Sequence, residues 1–146
     1  MANKIWGSNN EPLKIQFITD THYYSRKGGT EGKAYDKAES KSQKIIKDSD
    51  LVIKAGFDML CEDKSTDIVV LAGDTTRDGE IESHKEFIEM LRDLKKRGKR
   101  VYVITATHDF RDSGVADGYN GDKKIKVPAV ENRHDLWDMY YEFGPN

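Results

Sequence analysis

The chain is 146 residues long, and 24 Lys+Arg against 26 Asp+Glu leave a formal net charge of −2. Balanced signs exclude a polybasic nucleic-acid arm, the apolar share of 36% argues against disorder, and no apolar run approaches the roughly 18 residues of a membrane span. A lone cysteine, Cys61, excludes an internal disulfide framework and a Cys-rich zinc site. The length suits one domain spanning 1–146. Met1 to Gly7 lacks a basic flank leading into an apolar stretch, so no signal peptide is expected and a cytoplasmic location is the default.

Leu13, Ile15 and Phe17 alternate with Lys14 and Gln16, which predicts a strand ending near Asp20. A Gly-, Lys- and Ser-rich loop is expected from Tyr23 to Tyr35. Ile45, Val52, Ile53, Gly56, Met59 and Leu60 recur at helical spacing and predict a helix from about Lys41 to Glu62. The unbroken run Ile68–Ala72 predicts a strand buried on both faces. Ile81, Phe87, Ile88, Leu91 and Leu94 form a second helical stripe, closed by Lys95, Lys96, Arg97 and Gly98. Val101–Thr105 is a third, β-branched strand. From Phe110 to Val130 no period survives, and a long loop is expected. Leu136, Met139, Tyr140 and Phe143 predict a last helix, stopped by Gly144 and Pro145. There is no internal repeat or low-complexity tract. Strands alternating with helices imply an α/β fold with a largely parallel sheet, flanking helices and right-handed crossovers.

Ligands of open parallel sheets gather beyond the carboxyl ends of the strands. All three predicted strands end in ligand-type residues: Asp20-Thr21-His22, Gly73-Asp74-Thr75-Thr76-Arg77-Asp78 and Thr107-His108-Asp109. Carboxylates crowded together repel unless a proton or a cation lies between them. Mixed carboxylate and imidazole donors suit Mn, Fe or Zn better than Ca or Mg. Asp20 and His22 are two residues apart, so an extended segment points both to one side, where they can chelate one ion. Gly73 leaves room where the backbone must pass close to the site.

These stretches, read as "FITDTHYY", "VVLAGDTTRDGEIESH" and "VYVITATHDF", resemble the calcineurin-like metallophosphoesterases from about residue 13 to 144. The family pattern is Asp-x-His, then Gly-Asp with a following Asp or Gly, then Gly-Asn-His-Asp/Glu, each after an apolar strand. The Gly-Glu-x-x-Ser-His continuation and "LWDMYYEFG" resemble a bacterial phosphodiesterase-like branch. The resemblance implies half of a four-layer α-β-β-α sandwich, a phosphomonoester or phosphodiester substrate such as a cyclic nucleotide, and two divalent ions in a complete enzyme. It makes Asp20 and His22 ligands of the first metal and Asp74 the bridging ligand. His108 becomes the catalytic histidine, Asp109 its orienting neighbour, and Asp78 an outer support or helix cap. Thr107 stands where the family's Asn binds the second metal, and its hydroxyl is a shorter, poorer ligand.

The family's further lone His and Gly-His-x-His belong to a second half. His134, in a charged helix start, is no substitute. This chain alone is therefore expected to be weakly active or inactive, and to form a homo-oligomer that covers the bare sheet face. The alternative is a degenerate, non-catalytic binding domain. A receiver-like signalling domain also gathers aspartates at strand ends, but it has no use for His22 and His108. Elsewhere the plain readings hold: His84 and Cys61 as packed side chains, Trp137, Tyr140 and Tyr141 as packing, and Lys123, Lys124 and Lys126 as solvated charge.

Overall fold

A computed structural model describes residues 12–144. The readings of Met1–Gly7 and of Pro145 lie outside the described residues. Three parallel strands, β1 (Ile15–Ile18), β2 (Ile68–Ala72) and β3 (Arg100–Ile104), lie in the order β1-β2-β3. The register sets Phe17 beside Val70 and Val70 beside Tyr102. Two successive right-handed crossovers stepping the same way put both connecting helices on one face. One apolar cluster accordingly joins Val69, Leu71 and Val101 of the sheet to Ile53 and Phe57 of α2 (Ser49–Glu62) and to Phe87, Leu91 and Leu94 of α3 (Ile81–Lys96). Leu136 and Tyr140 of α4 (Arg133–Tyr140) close that core, with Phe143 from the 3-10 turn Tyr141–Phe143. Asn132 starts α4 by accepting from the N–H groups of His134 and Asp135.

The opposite sheet face is largely bare. Phe17 is 63% exposed and Ile104 61%, while Val70 and Tyr102 are half-buried. The expectation that Ile68–Ala72 is buried on both faces holds fully for one: Val69 and Leu71 are buried, while on the other face exposure rises from buried Ile68 through half-buried Val70 to exposed Ala72.

Three further expectations are corrected. The helix expected from Lys41 begins at Ser49, and a separate helix, α1 (Lys33–Glu39), starts in the last residues of the expected loop and runs past its end. Ser49 Oγ accepts from the backbone N–H of Tyr24, which fixes where α2 starts. The stripe on α2 holds in part: Ile53 is buried and Leu60 packs against the core as expected, but Phe57 and Cys61, one and two helical turns further on from Ile53, complete the core face, whereas Val52 and Met59 are exposed. The stretch 110–130 is not a structureless loop. It folds into an antiparallel hairpin, β4 (Val115–Asn120) and β5 (Lys123–Pro128), turned at Gly121 with φ 60°. A two-residue hairpin turn favours glycine at that position. The hairpin covers α1 and a small cluster of Tyr24, Tyr35, Ile46 and Tyr119.

Among the plain readings, Cys61 is a buried free thiol, and Lys124 and Lys126 pair with Asp117 on the hairpin surface. Of the aromatic run only Tyr140 packs; Trp137 and Tyr141 are exposed and touch each other edge to face.

Candidate metal centre

The loops beyond β1 and β2 continue side by side after the strands end. The N–H groups of Asp20, His22 and Tyr23 donate to the carbonyls of Gly73, Asp74 and Thr75 over 2.8–3.2 Å, and Arg77 N–H returns a bond to Tyr23. Three residues without the glycine exemption have positive φ among the described residues: Asp20 at 55°, His22 at 44° and Asp74 at 49°. Each such residue costs on the order of 1–3 kcal/mol and persists where its surroundings over-determine it. Asp20 and His22 therefore converge through left-handed backbone, not through the extended segment expected from their spacing. Gly73, at φ 92°, has no alternative, because a Cβ there would lie 2.6 Å from that of Ala106.

Ligand atoms of Asp20, His22 and Asp74 all lie within 4.8 Å of one another, with His22 Nε2 3.7 Å from Asp20 Oδ1. His22 Nδ1 faces the carbonyl of Thr76 at 3.4 Å. A carbonyl only accepts, so the proton sits on Nδ1 and Nε2 is left for an ion. Burial, and secondly the Lys44 ammonium, hold the pKa of His22 below its ordinary value, which keeps the imidazole in its ligating form. Two carboxylates and a neutral imidazole converging at this distance fit a divalent transition ion.

His108 stands against this cradle. Its backbone N–H donates to Asp74 Oδ1 at 3.1 Å, and its ring meets that of His22 edge to face at 5.1 Å. Its Nδ1 lies 2.9 Å from the carbonyl of Arg77 and 3.4 Å from Asp78 Oδ1. Asp78 also pairs with Arg111 and lies 3.7 Å from Arg77 Nε. The expected helix-capping role of Asp78 is not found. The cap of α3 is Glu80, which offers no side-chain cap bond, and Asp78 instead gives its N–H to the Glu80 carboxylate. The chain turns away after Arg77, so Asp78 faces the site and not the helix.

Asp109, fully buried, accepts from Thr75 Oγ1, the N–H of Thr76 and the N–H of Ala106. It thereby clasps the loop after β2 to the loop after β3. Beneath it His84 is fully buried, with Nε2 donating to the carbonyl of Asp109 and Nδ1 accepting from Tyr140 Oη, both at 2.8 Å. His84 is thus a packed histidine, as its place on the apolar stripe predicts. Thr107 is exposed, and its hydroxyl makes no hydrogen bond to the described residues. His134 is exposed on α4, next to Asp138.

Sequence reasoning missed Lys44 and Arg111, and it gave Thr75 and Thr76 no role beyond their place in the stretch after the second strand. Hydroxyls directly after Asp74 are a readable sign of carboxylate clasping. No local pattern marks Lys44, which reaches the site from the turn before α2. Its Nζ lies 3.3 Å from the Arg77 carbonyl and 3.2 Å from His108 Nδ1. Burial holds its pKa below the ordinary lysine value, against the opposing pull of Asp78 and Asp74.

A search of curated proteins finds no match. The family model for calcineurin-like phosphoesterases matches residues 13–144, which takes in all three strands and every residue of the cradle. The chain therefore belongs to the calcineurin-like phosphoesterase family.

Proposed function

We propose that this chain carries the first metal site and the proton donor of a metal-dependent phosphoesterase. The convergence of Asp20, His22 and Asp74, each held at positive φ, carries the reading. A divalent ion in that cradle supplies Lewis acidity toward phosphoryl oxygens and lowers the pKa of water in the site. In hydrolysis the oxygen of water bonds to phosphorus as the bond from phosphorus to the alcohol oxygen breaks. The proton of the water passes to solvent, and the leaving alcohol oxygen takes one from His108. The Arg77 carbonyl and the Asp78 carboxylate hold the His108 ring through Nδ1 for that step. With Nδ1 so occupied, Nε2 is the nitrogen that gives the proton. As part of the same proposal, chains associate through the bare sheet face around Phe17 and Ile104.

Thr107 at the position of the family's Asn favours a second reading, a single-ion domain that binds phosphoesters without turnover. Both readings are tested by elemental mass spectrometry of Mn²⁺-loaded, desalted protein, followed by release of phenol from phenyl phosphate and from diphenyl phosphate. Bound Mn²⁺ that Asp74→Asn abolishes, together with turnover, supports the esterase. Bound Mn²⁺ without turnover supports the binding domain. Uptake unchanged in Asp74→Asn removes both.

A further inference from the structure

Lys44 is a half-buried cation with few partners. Its ammonium has three N–H bonds, and the one certain acceptor beside it is the Arg77 carbonyl at 3.3 Å. Nδ1 of His108, 3.2 Å away, points its own proton at that same carbonyl over 2.9 Å, so it is a second donor around a shared oxygen. Among the described residues, no carboxylate oxygen lies within ion-pairing distance of Lys44. Asp78, the nearest in role, is taken by Arg111, and Asp74 Oδ1 by the N–H of His108. Arg77 and Arg111 add like charge around it. Asp78 and Asp74 act on Lys44 only at longer range, and a partly desolvated ammonium without a direct ion pair gains from an anion that comes into contact with it. The same side chain lines a cleft of about 590 Å³ together with Asp20, His22, Ile18, Ile53 and Phe57. Two of the three cradle residues, Asp20 and His22, line that cleft, and much of the remaining wall is apolar.

We propose that Lys44 binds the phosphoryl oxygens of the substrate directly, and that this contact from an ammonium favours a dianionic phosphomonoester over a monoanionic diester. The inference rests on the esterase reading for its setting. Its chemistry is charge-assisted hydrogen bonding from Lys44 to a phosphoryl oxygen, with the ester's apolar group along the cleft wall. A purely structural Lys44 would only anchor the turn before α2 to the Arg77 carbonyl.

Calorimetric titration of inorganic phosphate and of dimethyl phosphate separates the two roles. It is run on Mn²⁺-loaded and on metal-free protein, with wild type, Lys44→Met and Lys44→Arg. Lys44→Met is expected to weaken phosphate binding by about tenfold or more and dimethyl phosphate by a smaller factor, in either metal state, while Lys44→Arg restores most of the loss. Mn²⁺ uptake and melting temperature are expected to stay those of wild type. Equal phosphate affinity in wild type and Lys44→Met overturns the proposal, as does a wild type that binds no phosphate in either state. Loss of Mn²⁺ uptake alongside phosphate overturns it too, by showing that Lys44 acts through the cradle. If wild type takes up no Mn²⁺, the esterase reading fails by itself, and the metal-free titration still decides Lys44.

Discussion

The backbone N–H of His22 donates to the carbonyl of Asp74 over 3.0 Å, which locks the loop after β1 to the loop after β2 at the candidate ligands themselves. Residues from the loops after two separate strands are thereby held together through left-handed backbone. Preorganisation of this kind lets an ion bind without first ordering its ligands.

Gly73 is the hinge of that arrangement. Gly73→Ala forces a Cβ against Ala106 at φ 92°. It is expected to destabilise the fold by about 1–3 kcal/mol and to lower Mn²⁺ uptake. Urea denaturation followed by metal analysis checks both; wild-type stability would show that the loop relaxes freely.

His108 bonds to Asp74 through its backbone N–H, and its ring meets His22 only edge to face, so His108→Ala keeps the bond to the cradle. His108→Ala is expected to leave Mn²⁺ uptake intact and to cut turnover by about 10²–10⁴-fold, the usual worth of a positioned proton donor. The loss should be smaller for an ester with a good leaving group, which needs no proton. Parallel measurements on phenyl and 4-nitrophenyl phosphate decide it: equal losses on both esters would assign His108 another role.

His84 makes the fold acid-sensitive. Burial holds its folded pKa below the ordinary 6.5, with the nearby Asp109 carboxylate and carbonyl opposing in part. The unfolded chain thus takes up the proton first as pH falls, and stability drops below about pH 6.5. His22, also lowered, contributes in the same sense. His84→Gln is expected to flatten the dependence of melting temperature on pH between 6.5 and 5, leaving the part due to His22. An unchanged slope would place the sensitivity elsewhere. Separately, Tyr140→Phe removes the O–H donor to Nδ1 and should cost about 1–3 kcal/mol.

The bare face of the sheet predicts self-association. Phe17→Lys and Ile104→Lys each place a charge in its centre and are expected to shift sedimentation toward monomer. A wild type that sediments as monomer at high concentration would rule that association out.

How much was legible before the fold was known differs by element. The stripe Phe87, Ile88, Leu91, Leu94 and the run Ile68–Ala72 announced α3 and β2, because long apolar periods survive any context. The hairpin 115–128 did not announce itself. Lysines fill β5, whose faces are mostly wet, so the alternation that marks a half-buried strand is missing; only Gly121-Asp122 signalled the turn. On α2 two apolar stripes compete, and nothing local says whether Val52 or Ile53 faces the core.

By itself the sequence determined the α/β order and the placing of Asp20, His22, Asp74 and His108 at strand ends, since strand length and ligand spacing are local properties. Only the tertiary structure decided that the ligand pair meets through left-handed backbone, that Asp109 clasps two loops, and that Lys44 reaches His108 from a turn 64 residues earlier. Those are relations between separate segments, fixed by the packing of α2 and α3 onto one face of the sheet. No spacing along a single segment encodes them.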